Sequence, residues 1–472
     1  MHTIDKRWVA LLILCLGDLM IILDTTIVNV ALPSIKNDLG FTDASLVWVI
    51  NAYMLAFSGF LLLGGRLGDL YGQRRMFLSG LAVFTTASLL CGIADSQYVL
   101  IAARALQGIG GALVAAIALS IIMNLFAEPE ERAKAMGFFG FIAAGGGAIG
   151  VFLGGFLTGT FDWHWNFLVN IPIGIIVFAL CLWLLPRSEG QHVKLDLWGA
   201  VTITLSLMFA MYAIVNGNAA GWLSSQTIGL LAGAAALFAA FILIEKKTPS
   251  PLVPLSIFWI GNITTASIIG IMWSAAMFSW FFLSALYMQI VLGYSPMQVG
   301  LAFVPANLIM MAFSLGLSAR IVMRFGTRQP LMVGMICIAF GLGLFALSPV
   351  EGTFLIHVLP GMLLLGIGAG LAFNPVLLAG TDGVPQDESG LASGVLNTAF
   401  MMGGSLGLAI LASIAGARTE QLLPESATME IALHGGYIIA FMIGAVFAAG
   451  AALLATHLRV TSIPNASQMP MH

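Results

Sequence analysis

Fourteen times along this chain an apolar stretch long enough to cross a bilayer recurs, near residues 8–32, 46–66, 75–94, 98–126, 133–158, 164–185, 196–216, 227–245, 263–291, 298–322, 329–348, 354–378, 390–415 and 433–457. A membrane helix needs about 20 predominantly apolar residues, so a chain with this pattern has lipid as its main solvent. Backbone N–H and C=O groups cannot be left unpaired in hydrocarbon, and long unbroken runs favour helices over the short alternating strands of a membrane barrel. The expected fold class is therefore an all-α membrane protein with 14 transmembrane helices. Composition agrees, with 60% hydrophobic and 8% charged residues, against about 45–50% and about 25% in soluble domains. The first stretch follows Lys6 and Arg7 and runs on to about Leu32, too long for a signal-peptide core, so it is expected to be retained as the first helix. Cys15, Cys91, Cys181 and Cys337 each stand alone in an apolar run, which indicates neither a disulfide nor a metal site.

An even number of spans puts both termini on one side, and the cations say which. Lys6, Arg7, Arg66, Arg74, Arg75, Arg132, Lys134, Arg187, Lys194, Lys246, Lys247, Arg320, Arg324, Arg328 and Arg459 fall on the side of the termini, whereas Lys36 and Arg418 fall opposite. The positive-inside rule then places both termini in the cytoplasm and the chain in the cell (inner) membrane. Nucleic-acid binding has no support in this charge pattern.

The two ends of the chain repeat one another. "GRLGDLYGQRRMFLSG" (65–80) pairs with "ARIVMRFGTRQPLMVG" (319–334), "LQGIGGAL" (106–113) with "LLGIGAGL" (364–371), and "EERAKAMGFFG" (130–140) with "DESGLASGVLN" (387–397), at offsets of 254, 258 and 257. This divides the chain into an N-terminal six-helix bundle (1–190), two inserted helices (191–250), a C-terminal six-helix bundle (251–460) and a cytoplasmic tail (461–472). Two such bundles facing each other across a midplane cavity are what rocking-type alternating access requires, which points to a transporter.

A charge at the centre of a membrane helix costs several kcal/mol, so each one is a functional hypothesis. By these boundaries Asp18 and Asp24, both in the first helix, are the deep acids, and Arg104 in the fourth is the deep cation. A carboxyl group desolvated in a cavity can take either a proton or an approaching cation, and that competition is a physical basis for exchange. At about 100° per residue, Asp18, Thr25 and Asn29 share one stripe of the helix while Asp24 lies about 120° round, so the two acids are expected to do different jobs. Pairing with Arg104 for packing alone is the blander reading of either acid. Gly108 and Gly111, one and two turns beyond Arg104, would let a neighbouring helix offer it a carboxylate.

Gating residues are expected in the connection between the second and third helices, where Gly65, Gly68 and Gly72 permit a tight turn and Asp69 can cap the next element or pair with Arg74 or Arg75. The second copy keeps Arg324, Gly326 and Arg328 but has Met323 in place of Asp69 and Met362 in place of Arg104. In the fifth helix Gly146, Gly150 and Gly154 form a stripe for close packing or for a seam that opens. Trp273, Met277, Trp280, Ser284 and Tyr287 recur at helical spacing and suit flat, lipophilic or cationic guests, or else lipid. Gln107, Gln289, Asn307, Asn374 and Asn397 are further polar groups that could line a cavity or tie helices together. His357 and His434 lack the spacing of metal ligands.

At these residues the chain resembles the major facilitator superfamily, and within it the fourteen-helix drug:proton antiporters. "LDTTIVNVALP" (23–33) looks like that group's first-helix motif, which implies a proton-coupling role for Asp24. "GRLGDLYGQRR" (65–75) is similar to the superfamily loop motif, which implies gating on the cytoplasmic side, and "RALQGIGGA" (104–112) resembles the fourth-helix motif, which implicates Arg104 in proton transfer. "NFLVNIPIG" (166–174) and "GLASGVLNTAFMMGGSLG" (390–407) match further patterns of the group. The chain departs from it at Val151, where proline is usual, at His164, where arginine is favoured, and at Phe400 and Met401, where Arg-Gln is favoured. The resemblance implies a major facilitator fold and a monomeric, proton-coupled exporter of small lipophilic, cationic drugs or biocides. It implies no enzyme activity and no cofactor beyond the proton gradient and the surrounding lipid. A lipid or metabolite exporter, or a symporter that imports a small molecule, is the alternative on the same fold. A membrane receptor or enzyme would call for large soluble loops, and ATP-driven pumping for a G-x-x-x-x-G-K-[ST] loop; the sequence has neither.

Overall fold

The computed structural model describes residues 6–126, 128–185, 196–249, 251–384, 389–424, 426 and 428–458. Arg187, Lys194, Arg459 and the tail 461–472 lie outside the described residues, as do the side chains of Arg66, Asp69, Arg132 and Lys134. The helices are α1 (Lys6–Leu39), α2 (Asp43–Tyr71), α3 (Gln73–Gly92), α4 (Gln97–Leu125), α5 (Pro129–Thr160), α6 (Trp165–Leu168), α7 (Asn170–Leu184), α8 (Leu197–Ala220), α9 (Ser225–Lys247), α10 (Ile263–Leu286), α11 (Pro296–Ala312), α12 (Ser318–Phe325), α13 (Arg328–Ala346), α14 (Leu359–Thr381), α15 (Ser389–Leu422) and α16 (Met429–Ala455). Among the described residues there is no strand. Eleven helical spans are long and apolar enough to cross a membrane, and shorter apolar helices occupy Ser45–Leu61, Gly145–Thr160 and Pro296–Ala312.

The repeat read in the sequence reappears in local structure. Both α2 and α11 begin with a reciprocal cap that satisfies otherwise orphaned amides. Thr42 Oγ1 accepts from Ser45 N at 3.1 Å while Ser45 Oγ accepts from Thr42 N at 3.0 Å. Ser295 Oγ accepts from Gln298 N at 3.3 Å while Gln298 Oε1 accepts from Ser295 N at 2.8 Å. The expected loop between α2 and α3 is corrected. Helix α2 continues through Gly65, Gly68 and Asp69 to Tyr71, and the whole reversal is made by Gly72 at φ 91°. Nothing before Gly72 breaks the helix, and a positive φ is accessible to glycine without a Cβ clash. Gly326, its counterpart 254 residues on, turns α12 into α13 at φ 75°. One asymmetry is that a π turn, Phe313–Leu317, with Gly316 at φ 114°, interrupts the second copy between α11 and α12.

Packing follows the same symmetry. In the first copy α1 packs on α5 and α7, α2 on α4, and α3 on α4 and α7; in the second α10 packs on α15 and α16, α11 on α14, and α13 on α14 and α16. Glycines at matching positions set these seams. A Cβ on Gly80 would lie 3.0 Å from the Gly110 carbonyl and one on Gly110 would lie 2.8 Å from the Gly80 carbonyl, and Gly334 and Gly368 meet each other's carbonyls at 2.8 and 2.6 Å in the second copy. Likewise Gly108 lies against the Tyr53 carbonyl of α2, and its counterpart Gly366 would place a Cβ 2.7 Å from the Ala306 carbonyl of α11. Such backbone-to-backbone approach is how helices associate where lipid removes the hydrophobic drive.

The two groups meet through α2 against α15 and α5 against α11, while α8 pairs with α9 and leans on α2 and α15. At the end remote from Lys6 and Arg7 the groups are in close contact. A Cβ on Gly155 would lie 2.7 Å from the Pro296 carbonyl, one on Gly300 would lie 2.9 Å from the Val151 carbonyl, and Gln289 Nε2 donates to the Val30 carbonyl at 3.0 Å. Helix α5 runs unbroken through Val151, so the departure from proline there leaves it continuous.

If the glycine seams hold each group together, Gly110→Val or Gly368→Val should destabilise the protein by about 1–3 kcal/mol, the usual cost of overpacking. Thermal unfolding in detergent checks this, with Gly343→Ala as the control because a Cβ there meets nothing within 4 Å.

Candidate functional site

Asp24 lies one residue past Leu23 in α1 and is fully buried. Its turn is braced locally, since Thr25 Oγ1 and Thr26 Oγ1 both donate to the Ile22 carbonyl, at 3.0 and 2.8 Å. The stripe on α5 seats this part of α1: Gly146 faces Leu19 and Ile22, Gly150 faces Thr26 and Leu23, and Gly154 faces the Ile27 carbonyl.

From α4, Arg104 reaches Asp24. Its guanidinium, 1% exposed, donates through one terminal nitrogen to Asp24 Oδ2 at 2.5 Å and to Gln107 Oε1 at 2.6 Å, and through Nε to the Val49 carbonyl at 2.8 Å. The same group lies 4.4 Å from the centre of the Tyr53 ring and 5.7 Å from that of Phe167, a cation–π contact on two sides. Gln107, one turn on, donates to Asp24 Oδ1 at 2.7 Å and to Ser88 Oγ at 2.7 Å, and Asn170 donates to Asp24 Oδ1 at 3.1 Å. Both carboxylate oxygens are thus occupied, and α1, α2, α3, α4 and α7 all contribute. In a low-dielectric interior such a fully partnered network rigidifies, and removing one partner of a buried ion pair typically costs about 3–5 kcal/mol because the other charge is left uncompensated.

Asp18 is placed quite differently. It sits six residues earlier on α1, roughly 9 Å nearer the N-terminal end at 1.5 Å per residue. It is 8% exposed and has no hydrogen-bond or ion-pair partner among the described residues. The geometry separates the two acids as the helical wheel predicted: Asp24 is closed by Arg104 and Asp18 is not. Thr25 and Asn29, on the Asp18 stripe, are bound to α1's own backbone, with Asn29 Nδ2 donating to the Thr25 carbonyl at 3.0 Å.

Other residues singled out in the sequence are scattered. Gln107 belongs to the Asp24 network and faces no open space. Gln289 ties the two groups together at the far end through Val30. Trp280 is buried among Phe281, Phe303 and Phe345, and Met277 is buried beside it on α10. Tyr287 donates its hydroxyl to the Pro349 carbonyl at 2.8 Å. Trp273 forms a three-ring cluster with Phe373 and Phe400, with centres 5.4 to 5.6 Å apart, and Phe373 is exposed. Asn374 and Asn397 are half-buried on α14 and α15, while Asn307 is buried with its Nδ2 unpartnered. Arg74 donates to the Leu182 carbonyl at the end of α7, Arg75 is exposed, and the Asp69 side chain lies outside the described residues.

Sequence reasoning missed Tyr53, Ser88, Phe167 and Asn170. A signal existed for Asn170, an amide inside an apolar run and within the quoted "NFLVNIPIG" stretch. None existed for Ser88 or Tyr53, whose types are ordinary in such helices. It also missed two buried acids, so Asp18 and Asp24 are not the only ones. Asp196 caps the start of α8 and Glu245 lies in the last turn of α9, positions that read as helix ends at the water interface but that the packed segment 251–257 covers.

Comparison with known proteins agrees with this fold. The family model described as "Major Facilitator Superfamily" matches residues 14–408. The chain is 36% identical to the puromycin resistance protein pur8 of Streptomyces alboniger, over 95% of this chain and 90% of that protein. It is 38% identical to the cephamycin export protein CmcT of Amycolatopsis lactamdurans, over 90% of this chain and 88% of that protein. Among solved structures, an auto-inhibited POT family peptide transporter superposes with a TM-score of 0.67 at 14% identity, covering 96% of this chain and 98% of that one. The inward-open xylose transporter XylE from E. coli superposes with a TM-score of 0.64 at 15% identity, covering 97% of each chain. A chain so matched, all-helical and carrying at least eleven apolar spans, belongs to the major facilitator superfamily, a family of membrane transporters and not of enzymes.

Proposed function

We propose that this chain is a proton-driven antiporter that exports small lipophilic, cationic drugs or biocides across the cell (inner) membrane. The observation that carries the reading is the contrast within α1: Asp24 is locked by Arg104, Gln107 and Asn170, while Asp18 is buried without a partner among the described residues. An acid in such a place is completed either by a proton or by a cation, and those are the two species an antiporter exchanges. The names of pur8 and CmcT, a resistance protein and an export protein, favour export of drug-like molecules.

In this reading Asp24, Asp18 and Arg104 couple proton movement to transport, with the proton gradient as the only energy source and no cofactor. Breaking the Asp24–Arg104 pair would free a charge shared by most helices of the first group, so protonation of Asp24 is felt throughout it. The exposed and half-buried residues of the second group, Phe373, Asn374 and Asn397, together with Trp273, are the parts of the substrate surface this reading keeps. The chain crosses the membrane 14 times as a monomer, with two six-helix bundles (1–190 and 251–460), two inserted helices (191–250) and both termini in the cytoplasm. The eleven long spans and three shorter apolar helices support that number. The tight turns at Gly72 and Gly326 and the seam of Gly146, Gly150 and Gly154 move with the gate.

Everted vesicles test the coupling. A fluorescent lipophilic cation is expected to accumulate only while the lumen is held acidic, and Asp24→Asn should reduce that uptake by at least about tenfold, because the network loses its charge. Gradient-driven uptake at the wild-type rate in Asp24→Asn overturns the assignment, and accumulation that follows the reversed gradient identifies a symporter instead. In proteoliposomes, Asp18→Asn is expected to lower transport of a monocationic substrate by at least about tenfold while sparing a neutral one of similar size. Equal loss for both substrates would confine Asp18 to proton coupling and remove it from cation recognition.

A further inference from the structure

The inserted helices carry buried acids that the coupling scheme does not use. Asp196 is 7% exposed and Glu245 4% exposed. Each has one oxygen satisfied by a backbone amide: Asp196 Oδ1 accepts from Gly199 N at 2.8 Å, and Glu245 Oε2 accepts from Val253 N at 3.2 Å. The other oxygen of each, Asp196 Oδ2 and Glu245 Oε1, is buried and lacks a partner. Those two oxygens converge. A Cβ on Gly199 would lie 2.8 Å from Asp196 Cγ and 3.0 Å from Glu245 Oε1, and the two side chains are within hydrogen-bonding reach of each other.

Two carboxylates in contact and out of water cannot both be ionised, so a proton held between them supplies the missing donor for both orphaned oxygens at once. Among the described residues no cation is placed to do so; Lys194, two residues before Asp196, and the side chain of Arg66 on α2 lie outside them. Segment 251–257 has no titratable residue, and the remaining titratable group of α8, Tyr212, is four turns away. Lys246 and Lys247 of α9 are exposed, and beyond each other and the backbone amides of Gly199, Leu252 and Val253 neither acid has a further partner among the described residues.

The pair anchors more than two helices. Val253, whose amide it holds, belongs to a small apolar cluster with Leu252 and Ile257, Leu63 of α2, Ala200 of α8, Ile263 of α10, and Ala392 and Val395 of α15. Segment 251–257 therefore bridges α2 of the first group and α10 and α15 of the second, on the face where α1 begins. We infer that Asp196 and Glu245 form a second proton-binding site, separate from Asp24, Asp18 and Arg104, whose shared proton fastens the inserted helix pair to the segment bridging the two groups. Loss of the proton leaves two like charges in contact and loosens the hold on Val253.

Hydrogen exchange read by mass spectrometry on the purified full chain tests this, using the peptide that contains Val253. In the wild type, after correction for intrinsic rates, exchange is expected to be about tenfold faster in alkaline than in mildly acidic buffer, the effect of losing one hydrogen bond to a charged group. Glu245→Gln, which keeps an acceptor and a donor without titrating, should remain protected in both buffers, and Asp196→Asn should behave the same way. Asp24→Asn and Asp18→Asn should keep the wild-type pH response, so the result stands or falls independently of how drug export is coupled. Wild-type protection that does not change with pH overturns the inference even if neither substituted protein folds. A pH response in Glu245→Gln equal to the wild type overturns it as well.

Discussion

An ion pair in a medium that cannot solvate it governs the first half of this molecule. Arg104 and Asp24 are both out of reach of water, so neither is tolerable without the other, and the amides of Gln107 and Asn170 complete the set. Because the partners come from α1, α4 and α7, with α2 supplying the Val49 carbonyl and the Tyr53 ring, the pair fixes how those helices sit about one another. The second half holds Met362 where Arg104 stands and, among the described residues, is assembled without any such buried ion pair. Its helices take the same relative positions through apolar contact and paired glycines. The same fold is thus built twice by different means, and among the described residues a fully buried ion pair is part of the first half alone.

Much of the architecture is legible in the sequence because the constraints that set it are local or periodic. Apolar length marks each helix, and the alignment of Gly80 with Gly334 and of Gly110 with Gly368 foretells the seams of both groups. Gly72 and Gly326 mark the reversals because glycine escapes the Cβ clash at positive φ. The extent of α2 is not legible. Glycine and aspartate near a helix end read as loop, and the observed helix overrides that local preference up to the last possible residue.

The site is legible in part. Charges deep in apolar runs stand out, so Asp18, Asp24 and Arg104 are found, and the helical wheel separates the first two correctly. What the wheel cannot supply is the neighbour. Tyr53 and Ser88 lie on other helices and carry no distinguishing pattern, and which of two acids Arg104 chooses depends on the tilt of α4 against α1. Asp196 and Glu245 escape for a related reason. Each belongs to a helix end, where a charge is ordinarily wet, and only the folding back of Leu252 and Val253 seals them off.

The fit of α5 against α1 has a mechanical consequence. The Thr26 side chain fills the space that a Cβ on Gly150 would need, and Gly146 and Gly154 are equally filled by α1 on either side. Meshed along about two turns in this way, the two helices cannot slip or roll past each other, and any tilt of α1 must carry α5 with it as a single lever. In a rocking motion such as the proposed alternating access requires, the contacts of Gly155 on Pro296 and of Gly300 on Val151 would be the pivot. A small angular change at that fulcrum becomes a displacement of many ångströms at the opposite ends of the same two rods.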